Sequence, residues 1–443
     1  MNPPPSPDPE EVAAVDVAIV GAGIAGLLVA AYARRQGLRT LVVERRRIPG
    51  GRFSGELVEG AQLSTGALHL IPHGSRGPLA RALRELGIDQ PIVDSSVICS
   101  VWSPRGHVIC TRPHHLFTRV LPRREVLTAL RFFFHLLRDR DSPDSVEEWL
   151  RRRRIRGTMH ELIRCCVDFA LSLPLDRLAW RDFRAVFGSF WRHGGPGLPR
   201  GGCRALADRL LDHVREAGAG VLLHTEVEAV EPLAGGGPAR WRVRCRDRDR
   251  GTAIEVRAGQ VVGTAGGDTP GSPLGEGRGR SADPACGFKV QLLLPFSLVQ
   301  HDGVMFCIGT RRLSGLAQLS NADPSLAPPG RHLVNTFHAC APDADPRVER
   351  REALRDLAAI AGREVDESWV LSAAIYRSTW PVNRRGQGRE LPSLVGPGFF
   401  LAGDACKPPG LIMVEAAAES ARQVALRLGE SRDPGPAPAP PRS

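Results

Sequence analysis

Short apolar runs alternate along the chain with segments of helical period. Val15 to Val20 is a strand-like run broken only by Asp16. The turn Gly21-Ala22-Gly23-Ile24-Ala25-Gly26 follows directly, then a helix-forming run to Gln36 with Gly37 as its stop. A second apolar strand, Leu38 to Val43, ends on Glu44. Further on, Leu79, Leu83 and Leu86 mark a helix over 78–87 that Gly87 ends, and Leu206, Leu210 and Val214 mark another. Val221–His224 and Val227–Val230 read as strands, and a long helix is predicted from Leu411 to Leu428. The pattern predicts an α/β fold opening on a Rossmann-type unit.

The first turn has a specific chemistry. Gly21 permits the tight turn, Gly23 lets backbone N–H groups approach a pyrophosphate, and Gly26 lets helix pack on strand. Ile24 and Ala25 open the helix, whose unpaired N–H groups and dipole favour an anion. Glu44 stands 18 residues after Gly26, where an acid accepts hydrogen bonds from ribose hydroxyls and disfavours a 2′-phosphate. A bound dinucleotide and redox chemistry are expected.

The residues after Glu44 narrow the choice. Glu44-Arg45-Arg46, then Gly50-Gly51-Arg52, resembles the extended signature of the FAD family of amine oxidases, protoporphyrinogen oxidases and phytoene desaturases. Two glycines allow close backbone approach, and an arginine offers a planar donor fork to phosphate. Near the other end, Phe399 to Leu401, Gly403-Asp404 and Pro408-Pro409-Gly410 with the helix that follows resemble the family's second FAD motif. The resemblance implies FAD as cofactor, with Asp404 on ribityl hydroxyls. It puts Gly410, Leu411 and Met413 at a helix N-terminus near the flavin's pyrimidine edge. It also implies that the backbone of Val227 pairs with the adenine. A discontinuous FAD-binding domain over 14–95, 198–265 and 390–430 is expected, with an inserted α+β substrate domain over 96–197 and 266–389.

Composition removes other classes. The chain has 443 residues, 42% of them hydrophobic, enough for two lobes. No stretch approaches the roughly 20 apolar residues of a membrane span. Residues 1–13 and 431–443 are proline-rich and read as a disordered leader and tail. With no export signal, the ten cysteines are expected as reduced thiols in a cytoplasmic protein, with Cys406 a small buried residue or a covalent flavin ligand. The net charge of +11 is carried almost entirely by arginine, since Lys289 and Lys407 are the two lysines. That bias fits a GC-rich genome. No aromatic-basic motif indicates nucleic acid, and no cysteine spacing indicates a metal. Ser145 and Glu148 form a capping-box pattern, after which Arg151–Arg154 reads as a solvated helix face.

Three residues are the candidates for chemistry. Lys289, in Gly287-Phe288-Lys289-Val290, resembles the family lysine that reaches flavin N5 through a water; otherwise it sits on the wet face of a sheet. Tyr376 and Trp380 lie in the segment that, by the resemblance, passes beside the isoalloxazine, or else they pack in the core. Tyr32 and Tyr376 are the only tyrosines, and Tyr32 is in the first helix, so a two-tyrosine amine cage is excluded. The pattern is closer to the phytoene-desaturase branch. Hydride removal from a small apolar, isoprenoid- or carotenoid-type substrate is expected, with oxygen or a quinone as acceptor. An amine or amino-acid derivative is the alternative, and a non-redox isomerase or a lipid-binding chaperone shares the fold. Val126, Leu127, Leu130, Phe133, Phe134 and Leu137 form an apolar stripe that Phe132 and Leu136 widen. It is expected as a buried helix. The other reading is a peripheral membrane contact, flanked by Arg123, Arg124, Arg131 and Arg138.

Overall fold

The computed structural model describes residues 10–66, 69–112, 114–234, 238–265, 268–275, 285–378 and 393–430. Its first large sheet is built on the strand Glu10–Val20. That strand pairs in parallel with Thr40–Val43 on one side and Ala253–Gly263 on the other, and Gly220–Leu222 closes one edge. The long Ala253–Gly263 strand serves two neighbours beyond. Its first half pairs antiparallel with Trp241–Asp247, and Val261–Gly263 pairs parallel with Phe399–Leu401. Side chains alternate between faces, as strand geometry requires. Val17, Ile19 and Val42 enter one apolar cluster, while Ala18, Val20, Leu41 and Val43 enter the other. The first cluster is covered by helices α1 (Ile24–Arg35), α2 (Pro78–Leu86), α7 (Gly202–Glu216) and α9 (Met413–Glu430).

The opening strand corrects the expected leader. Residues 10–13 are paired, Glu10 with Ile254 and Val12 with Val256, before a bulge ahead of Val15. The partner strand is longer than the apolar core it borders, so its backbone groups recruit the chain upstream. Residues 1–9 and the tail 431–443 lie outside the described residues.

A second sheet of seven strands runs in the order Val370–Ser378, Ala285–Leu294, His332–Ala339, Gly315–Gln318, Val304–Cys307, Cys99–Ser103, Gly106–Cys110. The last two are a hairpin, so the segment 96–197 starts by extending a sheet. In the fully buried strand Ala285–Leu294, Phe288, Val290, Leu292 and Leu294 pack toward helix α8 (Pro346–Ala361). The alternation turns Lys289, Gln291 and Leu293 to the opposite face.

Four helices complete this half: α3 (Val126–Arg138), α4 (Val146–Arg152), α5 (Thr158–Leu171) and α6 (Trp180–His193). The capping box forms at α4. Glu148 N–H donates to Ser145 Oγ at 3.2 Å, and Ser145 N–H donates to the Glu148 carboxylate at 2.9 Å. Arg151, Arg152 and Arg154 after it are exposed, as expected, with Arg152 pairing with Asp144, while Arg153 is half-buried against Asp139. Trp149 and Trp180 stack with centroids 3.5 Å apart, and Phe132 meets both edge-on.

The apolar stripe on α3 divides. Ala129, Phe132 and Leu136 are buried, but Leu127 is 78% exposed and Leu137 71%, with Val126, Leu130 and Phe134 also open to solvent. The expectation of a buried helix therefore holds for one face alone. One face fills the space over the tryptophan pair, and among the described residues nothing packs on the other.

Removing the centre of this layer should be costly. Trp180→Ala deletes the stack and the indole N–H that donates to the Asp139 carbonyl at 2.7 Å. The expected loss is about 3–5 kcal/mol in chemical denaturation, as for other buried aromatic truncations. A loss under about 1 kcal/mol would contradict its place in the core.

Candidate active site

The glycine turn is shaped by two tight contacts and one open one. Gly21 has φ +106°, and a Cβ there would strike Thr264 Oγ1. Thr264 is held in turn by the Val20 carbonyl, which accepts from its Oγ1 at 2.8 Å. A Cβ on Gly26 would collide with the Gly21 carbonyl oxygen, so α1 can lie against its strand only with glycine there. Gly23 is different. Its φ is −67°, and among the described residues nothing stands within 4 Å of where a Cβ would be. It is the N-cap of α1, no side chain caps that helix, and its first turn carries no acid. The positive helix end and its unpaired N–H groups therefore meet open space, which suits a pyrophosphate. Ile24 and Ala25 are buried in that first turn.

Glu44 is buried and clamps the turn. One carboxylate oxygen accepts from Ala22 N–H and the other from Arg46 N–H, both at 2.8 Å. Each oxygen keeps a further lone pair for a ribose hydroxyl. Gly50 N–H donates to the Ala22 carbonyl at 2.8 Å, and Gly51, with φ +59°, brings the second loop against Gly23. Arg45, Arg46 and Arg52 lie on the exposed side of this loop.

The second motif reaches the same place. Gly403, with φ +125°, donates its N–H to Ser420 Oγ at 3.1 Å, and a Cβ on it would stand 4.0 Å from that of Ala25. Asp404 starts the short turn to Cys406; of its side chain nothing is described. Gly410 has φ +86° and backs onto the Ala185 carbonyl of α6. Leu411 is buried, its carbonyl accepts from Lys407 Nζ at 2.6 Å, and Met413 starts α9. The helix thus begins two residues later than the sequence pattern predicts. Glu415, also buried, accepts from His73 N–H at 3.1 Å and Leu79 N–H at 2.7 Å, which caps α2; burial pushes its carboxyl up to about 7. Val227 is buried at a register shift opposite Cys245.

Lys289 is 1% exposed, which removes the wet-face reading. Its Nζ donates to the Ser64 carbonyl at 2.7 Å, Ser64 Oγ at 2.9 Å and the Gly66 carbonyl at 2.6 Å. Gln291, two residues on and on the same face, accepts from Ser64 N–H at 2.9 Å. Tyr376, on the neighbouring strand, donates its hydroxyl to the Thr65 carbonyl at 2.8 Å, and its ring centroid is 4.9 Å from Lys289 Nζ. Burial pulls Lys289 down to about 7 against the opposing influence of Cys203 and Glu56, and burial raises Tyr376 to about 12. Trp380 lies outside the described residues.

The sequence reading missed the partners of this lysine. Ser64 to Gly66 close a short strand after the Gly-Gly-Arg loop, and their backbone carbonyls carry no residue signature. Gln291 and Asn335 are polar residues inside apolar strands, a signal that was available. Asn335 Nδ2 lies 3.2 Å from His69 Nδ1, and burial lowers His69 to about 3, so its ring is neutral.

The family profile described as flavin containing amine oxidoreductase matches residues 24–428. The chain belongs to this family. It is an FAD-dependent oxidoreductase, and the open Gly23 and uncapped α1 fit that cofactor. An uncharacterized protein of Methanocaldococcus jannaschii is 29% identical over 91% of this chain and 96% of its own. An oxidoreductase from Methanosarcina mazei superposes with a TM-score of 0.79 at 28% identity, covering 92% of this chain and 99% of that one. A putrescine oxidase double mutant shares the fold at a TM-score of 0.67 and 18% identity, over 95% of this chain and 99% of its own.

The glycines should separate folding from cofactor binding. Gly23→Val, placed in open space, should leave the melting temperature of the apoprotein within a few degrees while abolishing FAD retention. Gly26→Val should unfold the domain itself. A yellow, fully loaded Gly23→Val protein would remove Gly23 from the cradle.

Lys289 should show its burial in a pH titration of stability. Its folded pKa lies below the value in the unfolded chain, so between pH 7 and about 10 the unfolded state holds the extra proton. Stability of the native protein relative to Lys289→Met should therefore rise over that window, with a limiting slope of about 1.4 kcal/mol per pH unit. A flat difference would mean that Lys289 keeps an ordinary pKa.

Proposed function

We propose that this flavoprotein is a dehydrogenase for an apolar, isoprenoid- or carotenoid-type substrate, with oxygen or a quinone as final acceptor. One observation carries the reading. The apolar cluster beneath α3 to α6 runs without a break to Ile412 and Met413 at the start of α9, with half-buried Phe133, Phe187 and Phe190 along it. The helix that faces the cofactor is thus continuous with an aromatic layer suited to a long hydrocarbon. Bound FAD supplies the hydride acceptor.

The roles of the protein's own groups follow from chemistry already described. Gly21 to Gly26, Glu44 and Gly50 to Arg52 bind the dinucleotide, with Gly403, Asp404 and Val227 along its length. Gly410 to Ile412 lead into α9, whose N-terminus at Met413 favours negative charge. Lys289 Nζ holds a proton that titrates near neutrality, and it orders the Ser64 to Gly66 loop. Tyr376 orders Thr65. The aromatic layer excludes water and orients the chain of the substrate.

Anaerobic reduction of the bound flavin tests the reading. Detergent-dispersed isoprenoids, such as an apolar carotenoid-precursor extract, should bleach the visible flavin band. A panel of primary amines and amino acids should not. Bleaching by amines alone would replace the dehydrogenase with an amine oxidase that works without a two-tyrosine cage.

A further inference from the structure

We propose that the exposed face of α3 docks the protein on an anionic lipid bilayer, with the helix axis in the headgroup plane. Leu127, Leu130, Phe134 and Leu137 recur at the spacing of one helical face, and all four are exposed. Ala129, Phe132 and Leu136 hold the opposite face in the core. The exposed stripe is therefore rigidly presented, and it is large for a surface that meets water alone. Trp191 adds to it. Arg184 Nε donates to the Leu136 carbonyl at 3.0 Å and Phe133 meets Phe187 at 6.4 Å, so α6 runs antiparallel to α3. That order brings Trp191, 72% exposed and one turn past Phe187, alongside the first half of α3. Amphipathic indole rings suit the membrane interface.

The charge around the stripe identifies the occupant. Arg131 and Arg138, seven residues apart, line one border, and Arg123 and Arg124 stand at the N-terminal end, with Arg119 just before them. All five are exposed, and among the described residues none pairs with a carboxylate. Two of the nearby acids, Glu125 and Asp139, are turned inward, while Asp141 past the end of α3 is exposed. Glu125 accepts from Thr158 Oγ1 at 3.2 Å and Met159 N–H at 3.3 Å at the start of α5, and Asp139 accepts from Trp149 Nε1 at 3.2 Å and pairs with Arg153. Apolar residues flanked by unpaired arginines with long aliphatic stems match the boundary between acyl chains and anionic headgroups. No described helix is long and apolar enough to cross a membrane, so the contact is interfacial. This inference does not depend on the identity of the substrate.

Flotation of the FAD-loaded full chain with vesicles tests it. Phosphatidylcholine vesicles containing phosphatidylglycerol should carry the protein, and phosphatidylcholine alone should bind at least about tenfold more weakly. Replacing Leu127, Leu130, Phe134 and Leu137 together with serine should abolish flotation while FAD stoichiometry is unchanged. Arg131→Glu with Arg138→Glu should weaken binding at least about tenfold, with the fold intact. Failure of the intact protein to float would overturn the proposal, as would undiminished flotation of the serine variant. A dimer that the serine variant turns into a monomer, with no flotation in either, would assign the face to a second copy and overturn it as well.

Discussion

A single buried ammonium joins the two halves of this molecule. Lys289 belongs to the second sheet, on the strand next to its edge, yet its hydrogen bonds go to the loop that follows the Gly-Gly-Arg turn. An unpaired charge there would cost several kcal/mol, so the three oxygen acceptors are a condition for the strand to carry a lysine at all. The same sheet face adds Gln291 on Ser64 and Tyr376 on Thr65. Three successive loop residues are thus held by three side chains from two adjacent strands. Strand alternation makes this possible, because residues two apart share a face. The position of the loop against the cofactor cradle follows from the sheet rather than from the loop itself.

The cradle is organised before any ligand arrives. Glu44 uses both oxygens on backbone N–H groups of the first turn and the next loop, and Gly50 returns a hydrogen bond to Ala22. The glycines divide by purpose. Gly21 and Gly26 are demanded by contacts within the protein, whereas Gly23 faces space the protein leaves open. That division separates residues that build the turn from one whose added side chain would meet no described neighbour. The second motif contributes from the far end of the chain because Phe399–Leu401 pairs with Val261–Gly263, next to the opening strand.

The helical layer shows how one element serves two surroundings. Its inner face is committed to the Trp149–Trp180 stack and, through it, to Ile412 and Met413. Its outer face shares the composition but, among the described residues, has no neighbour. Hydrophobicity alone does not separate the two, since both rows have helical period and similar side chains. Position on the helix separates them.

The sequence by itself determined the dinucleotide turn, the order of strand and helix around it, the second motif and the capping box at Ser145. These are local: a glycine that must clear a carbonyl, or a serine that caps three residues on, is written within a few positions. The strand-like run around Lys289 was legible for the same reason. Its surroundings were not, because its acceptors are carbonyls more than 220 residues away in the chain, and a carbonyl leaves no mark on residue identity. The start of the first sheet at Glu10 and the hairpin at 99–110 also escaped, since strand pairing depends on a distant partner's length and edge. Only the tertiary structure decided which face of α3 is buried. The pattern names the apolar positions, but the core has room for one side of a helix, and packing alone decides which.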